Sequence, residues 1–548
     1  PRQLRSDKIG GISRADRLHT TMNQAIEAVA GAQEAPHVAA GQSADAEALR
    51  AAFQRQRQAY LSDPIPDLAQ RRKDLLTLKR LLSENVDQVI AAICEDYGNR
   101  SRHETLFAEI ITVTDGINDT VRHLRKWMKP QRRHVDRTLY PGARNRLIPQ
   151  PLGVTGLIIP WNFPVNLAFS QLTGAFAAGN RAMVKLSENS MALAALLKEL
   201  SPSYFPPEKL AWFEETGGVG IEFSQLPFDL IMFTGSGQTG RSVMGCAAHN
   251  LTPVILELGG KSPAIIDPEY PLDKAVGRIL FVKQFNAGQV CTNVDYVFVH
   301  RSQKQEFIDL ALKYAAKHCP DIAHDDYTSI IDEESFDRLV ATLEDARDKG
   351  ATLVNLSPGQ HPDRTARKFP MHLVLDTTEN MIIRERETFG PLLMVLTYSE
   401  PEEVIDYVNA QDRPLAIYPF TPDRERATQY IERIMSGGVT VNDALLHVAQ
   451  HDLPFGGVAT QPPDRFPIEA QDRGHRAQAC GECGLGQLGN DRIFRLLPQW
   501  RSDRRRADAD EAHTAVAVLV VQRFGVGLHG ALGGAVAAHK QAGDNAGH

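Results

Sequence analysis

VTGLIIPWNFPVNLAFSQLTGAFAAGNRAMVKL, residues 154–186, is the stretch that decides the fold. VTGLII is a short β-branched run ended by a proline, LAFSQLTGAFAAG reads as an apolar helix, and RAMVKL is a second short strand. Strand, helix and strand in that order make a right-handed parallel crossover. The pattern returns in DLIMFTGS, GQTGRSVMGCAAH and PVILELGG, which predicts a doubly wound α/β sheet over residues 151–258.

Outward from this unit the character changes. On the N-terminal side, apolar residues recur at three- and four-residue spacing from about 45 to 98 and again from 102 to 128, which predicts amphipathic helices. The second stretch ends in Lys126 and Lys129, cations that suit a helix C-terminus. Residues 45–129 are therefore assigned with 151–258 to one domain. Residues 130–150, broken by Pro130, Pro141 and Gly142, read as an excursion or arm. Beyond 258 a second α/β domain is expected to run to Val458, with QEFIDLALKYAAKH as a helix and GGVTVNDAL as a strand. Residues 1–44 read as an N-terminal extension, expected to be disordered, whose first methionine is Met22. Residues 459–548 form an atypical tail holding ten arginines and a single lysine, Lys540, without periodicity. Out-of-frame translation of a GC-rich gene explains that composition better than a natural flexible extension.

At 548 residues, 43% of them hydrophobic and 23% charged, the chain has ordinary globular composition, which excludes a fibre or wholesale disorder. Its 60 basic and 67 acidic residues offer no overall charge to attract nucleic acid or an anionic membrane. No apolar run approaches the roughly 20 residues of a membrane span, and the N-terminus does not read as a secretory signal. Six cysteines (Cys94, Cys246, Cys291, Cys319, Cys480 and Cys483) are too sparse for a disulfide framework and suit the reducing cytoplasm. Cys480 and Cys483 form a single CxxC with no second pair, so no metal site is expected.

Three residues stand where chemistry is feasible. Cys291, in FNAGQVCTNVDY, follows Gly288 among small and polar neighbours; a free thiol has a pKa near 8.5 and needs help to become a nucleophile. Glu257 closes the apolar strand PVILELGG, where poor solvation raises a carboxyl pKa towards the range of a general base. Asn162, fixed between Trp161 and Phe163 and flanked by prolines, is an amide donor able to hold an oxyanion. Each also has an ordinary structural explanation: an inert thiol, a salt-bridged strand end, a turn asparagine.

Six motifs occur in order: PWNFP at 160–164, FTGS at 233–236, ELGGKSP at 257–263, GQVC ending at Cys291, ETFGP at 387–391 and PFGGV at 454–458. Together they resemble the aldehyde dehydrogenase superfamily over about residues 45–458. RHETL near His103 and VNDALLHVAQHDLPFGG are similar to its class 3 branch and to bacterial coniferyl aldehyde dehydrogenases. The resemblance implies a Rossmann-like NAD-binding domain, an α/β catalytic domain (259–458) and a small oligomerisation arm (130–150). It implies a Cys291 nucleophile, an oxyanion held by the Asn162 amide and the Cys291 N–H, and Glu257 as the base that hydrolyses the thioester. Glu257 favours a free acid over a coenzyme A ester, since acylating relatives commonly lack it. Because GxGxxG is absent, the cofactor would be held in the family's manner: Gly235 and Ser236 at the pyrophosphate, Lys185 and Glu188 at the adenosine ribose, Glu387 and Phe389 at the nicotinamide ribose, with Trp161 as the adjoining wall. Glu188 implies NAD, with NADP possible. A homodimer oxidising an aromatic or medium-chain aldehyde is implied. A coenzyme A-acylating aldehyde dehydrogenase is one other reading; past Val458 the family's pattern is lost, which makes a non-catalytic relative disabled by its C-terminus the second.

Overall fold

The computed structural model describes residues 44–457 and 477–480. The atypical tail and the N-terminal extension thus lie outside the described residues, apart from Ala44 and one four-residue strand.

Residues 130–150 form an antiparallel hairpin of β1 (Gln131–Arg133) and β2 (Asn145–Leu147). The quoted stretch folds as β3 (Val154–Ile159), a helix Pro164–Ala178 and β4 (Arg181–Leu186). Pro164 starts the helix, where its missing N–H costs nothing, and Gly179 ends it at φ 89°. With β5 (Leu210–Phe213), β6 (Leu230–Gly235) and β7 (Val254–Leu258) these strands make an all-parallel sheet in the order β5-β4-β3-β6-β7. The chain runs from β3 outward to β5, then returns to lay β6 on the other side of β3. Between β3 and β6 the strand order reverses, and ligands of such sheets bind outside the carboxyl ends at that switch point.

The second sheet consists of β8 (Ser262–Ile266), β9 (Val294–His300), β10 (Thr352–Asn355), β11 (His372–Leu375), β12 (Leu392–Tyr398), β13 (Ala416–Phe420), β14 (Gly438–Val441) and β15 (Ala477–Cys480). Its order is β10-β11-β12-β9-β8-β13-β14-β15, parallel except for the β10–β11 pair. The tail thus contributes a strand, with Ala477 opposite Gly438.

One apolar core joins helices Leu68–Ser83, Val86–Tyr97, Thr112–Trp127 and Pro164–Ala178 to the first sheet, through residues such as Leu78, Ile93, Ile117 and Phe169. Two others pack the faces of the second sheet. The stretch 102–128 is one helical run with an irregularity: a short helix Arg102–Thr105, a turn of π-helix Leu106–Ile111, then Thr112–Trp127. π-Turns inside helices frequently mark functional sites. No helix among the described residues is long and apolar enough to cross a membrane.

Candidate active site

Where the carboxyl ends of the first sheet meet the strand starts of the second, a cavity of about 1690 Å³ opens. Asn162 follows β3, Ser236 follows β6, Glu257 is the penultimate residue of β7, and Cys291 and Glu387 lie on the loops that enter β9 and β12. All five line this cavity, as do Trp161, Gly235 and Phe389. Lys185 and Glu188 do not; they stand farther along the same sheet edge, at the end of β4.

The three candidates for chemistry share a poorly solvated space. Burial pushes the Glu257 carboxyl up to about 8. Burial, and then the adjoining Glu387 and Glu257 carboxylates, push the Cys291 thiol up to about 12. Thiol and carboxyl are therefore both protonated at neutral pH, and Glu257 is much the stronger acid. Once ionised it is the natural proton acceptor of the site. Asn162 is buried, and its side-chain amide lies 3.4 Å from the Gln289 carbonyl, two residues before the thiol.

Glycines set the closeness of the walls. A Cβ on Gly259 would sit 2.3 Å from Glu387 Oε2, and one on Gly260 would sit 3.0 Å from the Leu415 nitrogen. Gly259 thus leaves room for the Glu387 carboxyl and Gly260 for the Leu415 backbone where the chain turns from β7 to β8. The Glu387 loop is itself held hard. Lys261 pairs with Asp295 and bonds the Ile383 and Arg386 carbonyls, while Asp295 accepts from the Thr388 N–H and hydroxyl at 2.9 and 2.6 Å. Arg338 donates to the Thr388 carbonyl at 2.6 Å and the Phe389 carbonyl at 3.4 Å. These bonds hold Phe389 at φ 43°, a conformation few side chains adopt, with its ring edge-on to Trp161 at 5.5 Å.

A nicotinamide dinucleotide fits the residues present. Ser236 caps helix Gly237–Ala248, its hydroxyl accepting from the Thr239 N–H at 3.2 Å. The first turn of that helix points its free N–H groups out of the sheet edge, where a pyrophosphate is stabilised. Lys185 is occupied by an acid absent from the sequence reading: Glu215, 2.6 Å away, which also accepts the N–H groups of Gly217, Val219 and Gly220. Its position just after β5, in a run ending in two glycines, was the available signal. Glu188 is exposed and takes the Ser187 hydroxyl at 3.0 Å.

Among the described residues no cluster of His, Cys, Asp or Glu could hold a metal ion. Cys480 lies in β15, and Cys483 lies outside the described residues.

The profile of the Aldehyde dehydrogenase family matches residues 19–460. A probable coniferyl aldehyde dehydrogenase of Pseudomonas aeruginosa is 45% identical over 412 residues, 75% of this chain and 85% of the relative. A coniferyl aldehyde dehydrogenase from a Pseudomonas species is 40% identical over 421 residues, 76% and 87% of the two chains. Among solved structures, the substrate-bound state of a Staphylococcus aureus AldH superposes with a TM-score of 0.71 at 31% identity, covering 75% of this chain and 88% of that one.

Proposed function

This chain belongs to the aldehyde dehydrogenase family and oxidises an aldehyde to its carboxylic acid with a nicotinamide cofactor, and we propose that it does so through Cys291 on a hydrophobic, aromatic aldehyde of the coniferyl type. The observation that carries the assignment is the convergence of Cys291, Glu257 and Asn162 in one cavity beside the Ser236 helix start.

Glu257 takes the thiol proton, and the Cys291 sulfur adds to the aldehyde carbon to give a thiohemiacetal. The Asn162 amide and the Cys291 N–H hold the resulting oxyanion. When bound, the nicotinamide ring supplies the acceptor for the hydride lost from that carbon. Having released the thiol proton to solvent, Glu257 then removes a proton from the water that cleaves the thioester and returns it to the departing sulfur, releasing the acid and restoring the thiol. A carboxyl with no cation beside it, raised by burial, suits both transfers. Its presence supports water, rather than coenzyme A, as the acyl acceptor. Product analysis with and without coenzyme A tests this: free acid in both cases is expected.

The approach to the thiol supports an aromatic substrate. Phe163 stacks on Phe285 at 6.0 Å, Phe107 meets Phe285 edge-on at 6.2 Å, and all three line the cavity. Planar apolar molecules bind such rings favourably. Lys185 and Glu188 hold the adenosine ribose and Glu387 the nicotinamide ribose in this reading. The acids Glu188 and Glu215 disfavour a 2′-phosphate, so NAD is preferred over NADP. The four free cysteines among the described residues fit a reducing cytoplasm. Leu139, Tyr140 and Ile148, 71%, 63% and 54% exposed, present apolar side chains on the arm, which supports a homodimer.

Replacing Cys291 by Ala is expected to lower aldehyde-dependent NADH formation by roughly 10⁴-fold or more while NAD still binds. Activity surviving that change refutes the assignment of the nucleophile.

A further inference from the structure

The reaction needs the Asn162 amide and the Cys291 sulfur at a fixed spacing, yet the two sit on loops of different sheets. We propose that Tyr97, Glu104 and Glu109 are positioning residues that set this spacing by fastening both loops to one wall, residues 97–109, which runs from the end of one helix into the start of the next. The proposal rests on the catalytic reading above.

The nucleophile loop needs holding. Asn286, Ala287 and Gly288 are all left-handed, at φ 51°, 50° and 74°, and two of them carry side chains. Such conformations persist only where their surroundings over-determine them. The wall supplies the constraint. Glu104 accepts the Asn286 N–H at 3.0 Å and the Thr328 hydroxyl at 2.6 Å. The Asn286 amide donates to the Tyr97 oxygen at 3.2 Å, to the Asn162 carbonyl at 3.2 Å and to the Gln289 carbonyl at 3.1 Å.

The oxyanion loop is fastened to the same wall. The Tyr97 hydroxyl donates to the Asn162 carbonyl at 3.0 Å. Four residues into the π-turn, Glu109 accepts the N–H groups of Val165 and Asn166, both at 2.8 Å, and so caps the helix that begins just after Asn162. Arg100 pairs with Glu109 at 2.6 Å, both side chains fully buried, and lies 4.9 Å from the Tyr97 ring centre and 5.1 Å from that of Phe163. The wider π-turn carries Glu109 into this position. None of these residues except through its partners reaches the reacting atoms, so their effect is on placement.

Tyr97→Phe removes only the hydroxyl shared by both loops. The expected result is a fall in kcat of about ten- to a hundredfold in the otherwise wild-type enzyme, with the rate of Cys291 alkylation by iodoacetamide unchanged, since alkylation makes no oxyanion. In an Asn162→Ala background the same change should cost less than about twofold, because the group it positions is gone. Equal losses in both backgrounds, or no loss in the first, overturn the proposal. If Tyr97→Phe does not fold, Glu104 decides: Glu104→Gln keeps an acceptor for the Asn286 N–H and should retain activity that Glu104→Ala loses, whereas equal losses in the two refute it. Failure of the catalytic reading itself would show separately, as activity surviving Cys291→Ala.

Discussion

Glu257 shows how one environment fits a residue to two proton transfers. Its carboxyl is raised from an ordinary value to about 8 because it is buried, with no other influence of note. Since the acid form is the one stabilised, the base is present above pH 8 and is lost as pH falls below it. The rate of thioester hydrolysis should therefore rise about tenfold per unit up to pH 8 and then level. Glu257→Gln should abolish that limb and slow hydrolysis by about 10²–10⁴-fold, as read by pre-steady-state release of acid. A pH profile unchanged by the substitution would assign the base elsewhere. Residue by residue, Cys291, Glu257 and Asn162, which line one cavity, could be singled out in the sequence because their motifs are local: a thiol among small residues, an acid ending a strand, an amide between prolines. Tyr97, Glu104, Glu109 and Glu215 were not, because their importance lies in contacts with residues far along the chain.

At the scale of elements, the site is made by what strands end in. The parallel sheet puts the ends of β3, β6 and β7 side by side, and two glycines then turn the chain directly into the second sheet. Crossover order was readable because strand, helix and strand differ in length and period. The π-turn was not, since Leu106–Ile111 keeps a helical alternation and its register shift leaves no mark on composition. Close packing at the turn gives a sharp contrast. Gly259→Ala places a methyl 2.3 Å from Glu387 Oε2. It should raise the NAD dissociation constant about tenfold or more, a loss of about 1.4 kcal/mol. Gly245→Ala, on the exposed face of helix Gly237–Ala248 with nothing within 4 Å, should instead raise stability by about 0.5–1 kcal/mol. Fluorescence titration with NADH and thermal unfolding check the pair. Tight binding by Gly259→Ala would show that the Glu387 loop yields.

For the whole molecule, the composition change at Val458 falls at a sensitive place. A Cβ on Gly457 would lie 4.0 Å from Glu257 Oε2, and one on Gly456 would lie 2.2 Å from the Gly437 carbonyl. The last residues before the tail thus border the proposed base. The sequence marked this change through its arginines but could not show that residues 477–480 stand beside β14, a pairing set by the sheet edge rather than by local pattern. The arm was legible from its prolines, and the proposed homodimer gives it a test. Leu139→Glu with Ile148→Glu should convert a dimer to a monomer in sedimentation velocity; an unaltered dimer would place the interface elsewhere. The central claim is that Cys291 carries the acyl group. The most direct measurement mixes the wild-type enzyme with NAD and coniferyl aldehyde, quenches in acid before the thioester is hydrolysed, and weighs the peptide that holds Cys291. The account predicts the mass of the aldehyde less two hydrogens on that peptide, appearing with one equivalent of NADH. NADH formed without an adduct, or with the adduct on another cysteine, would contradict it.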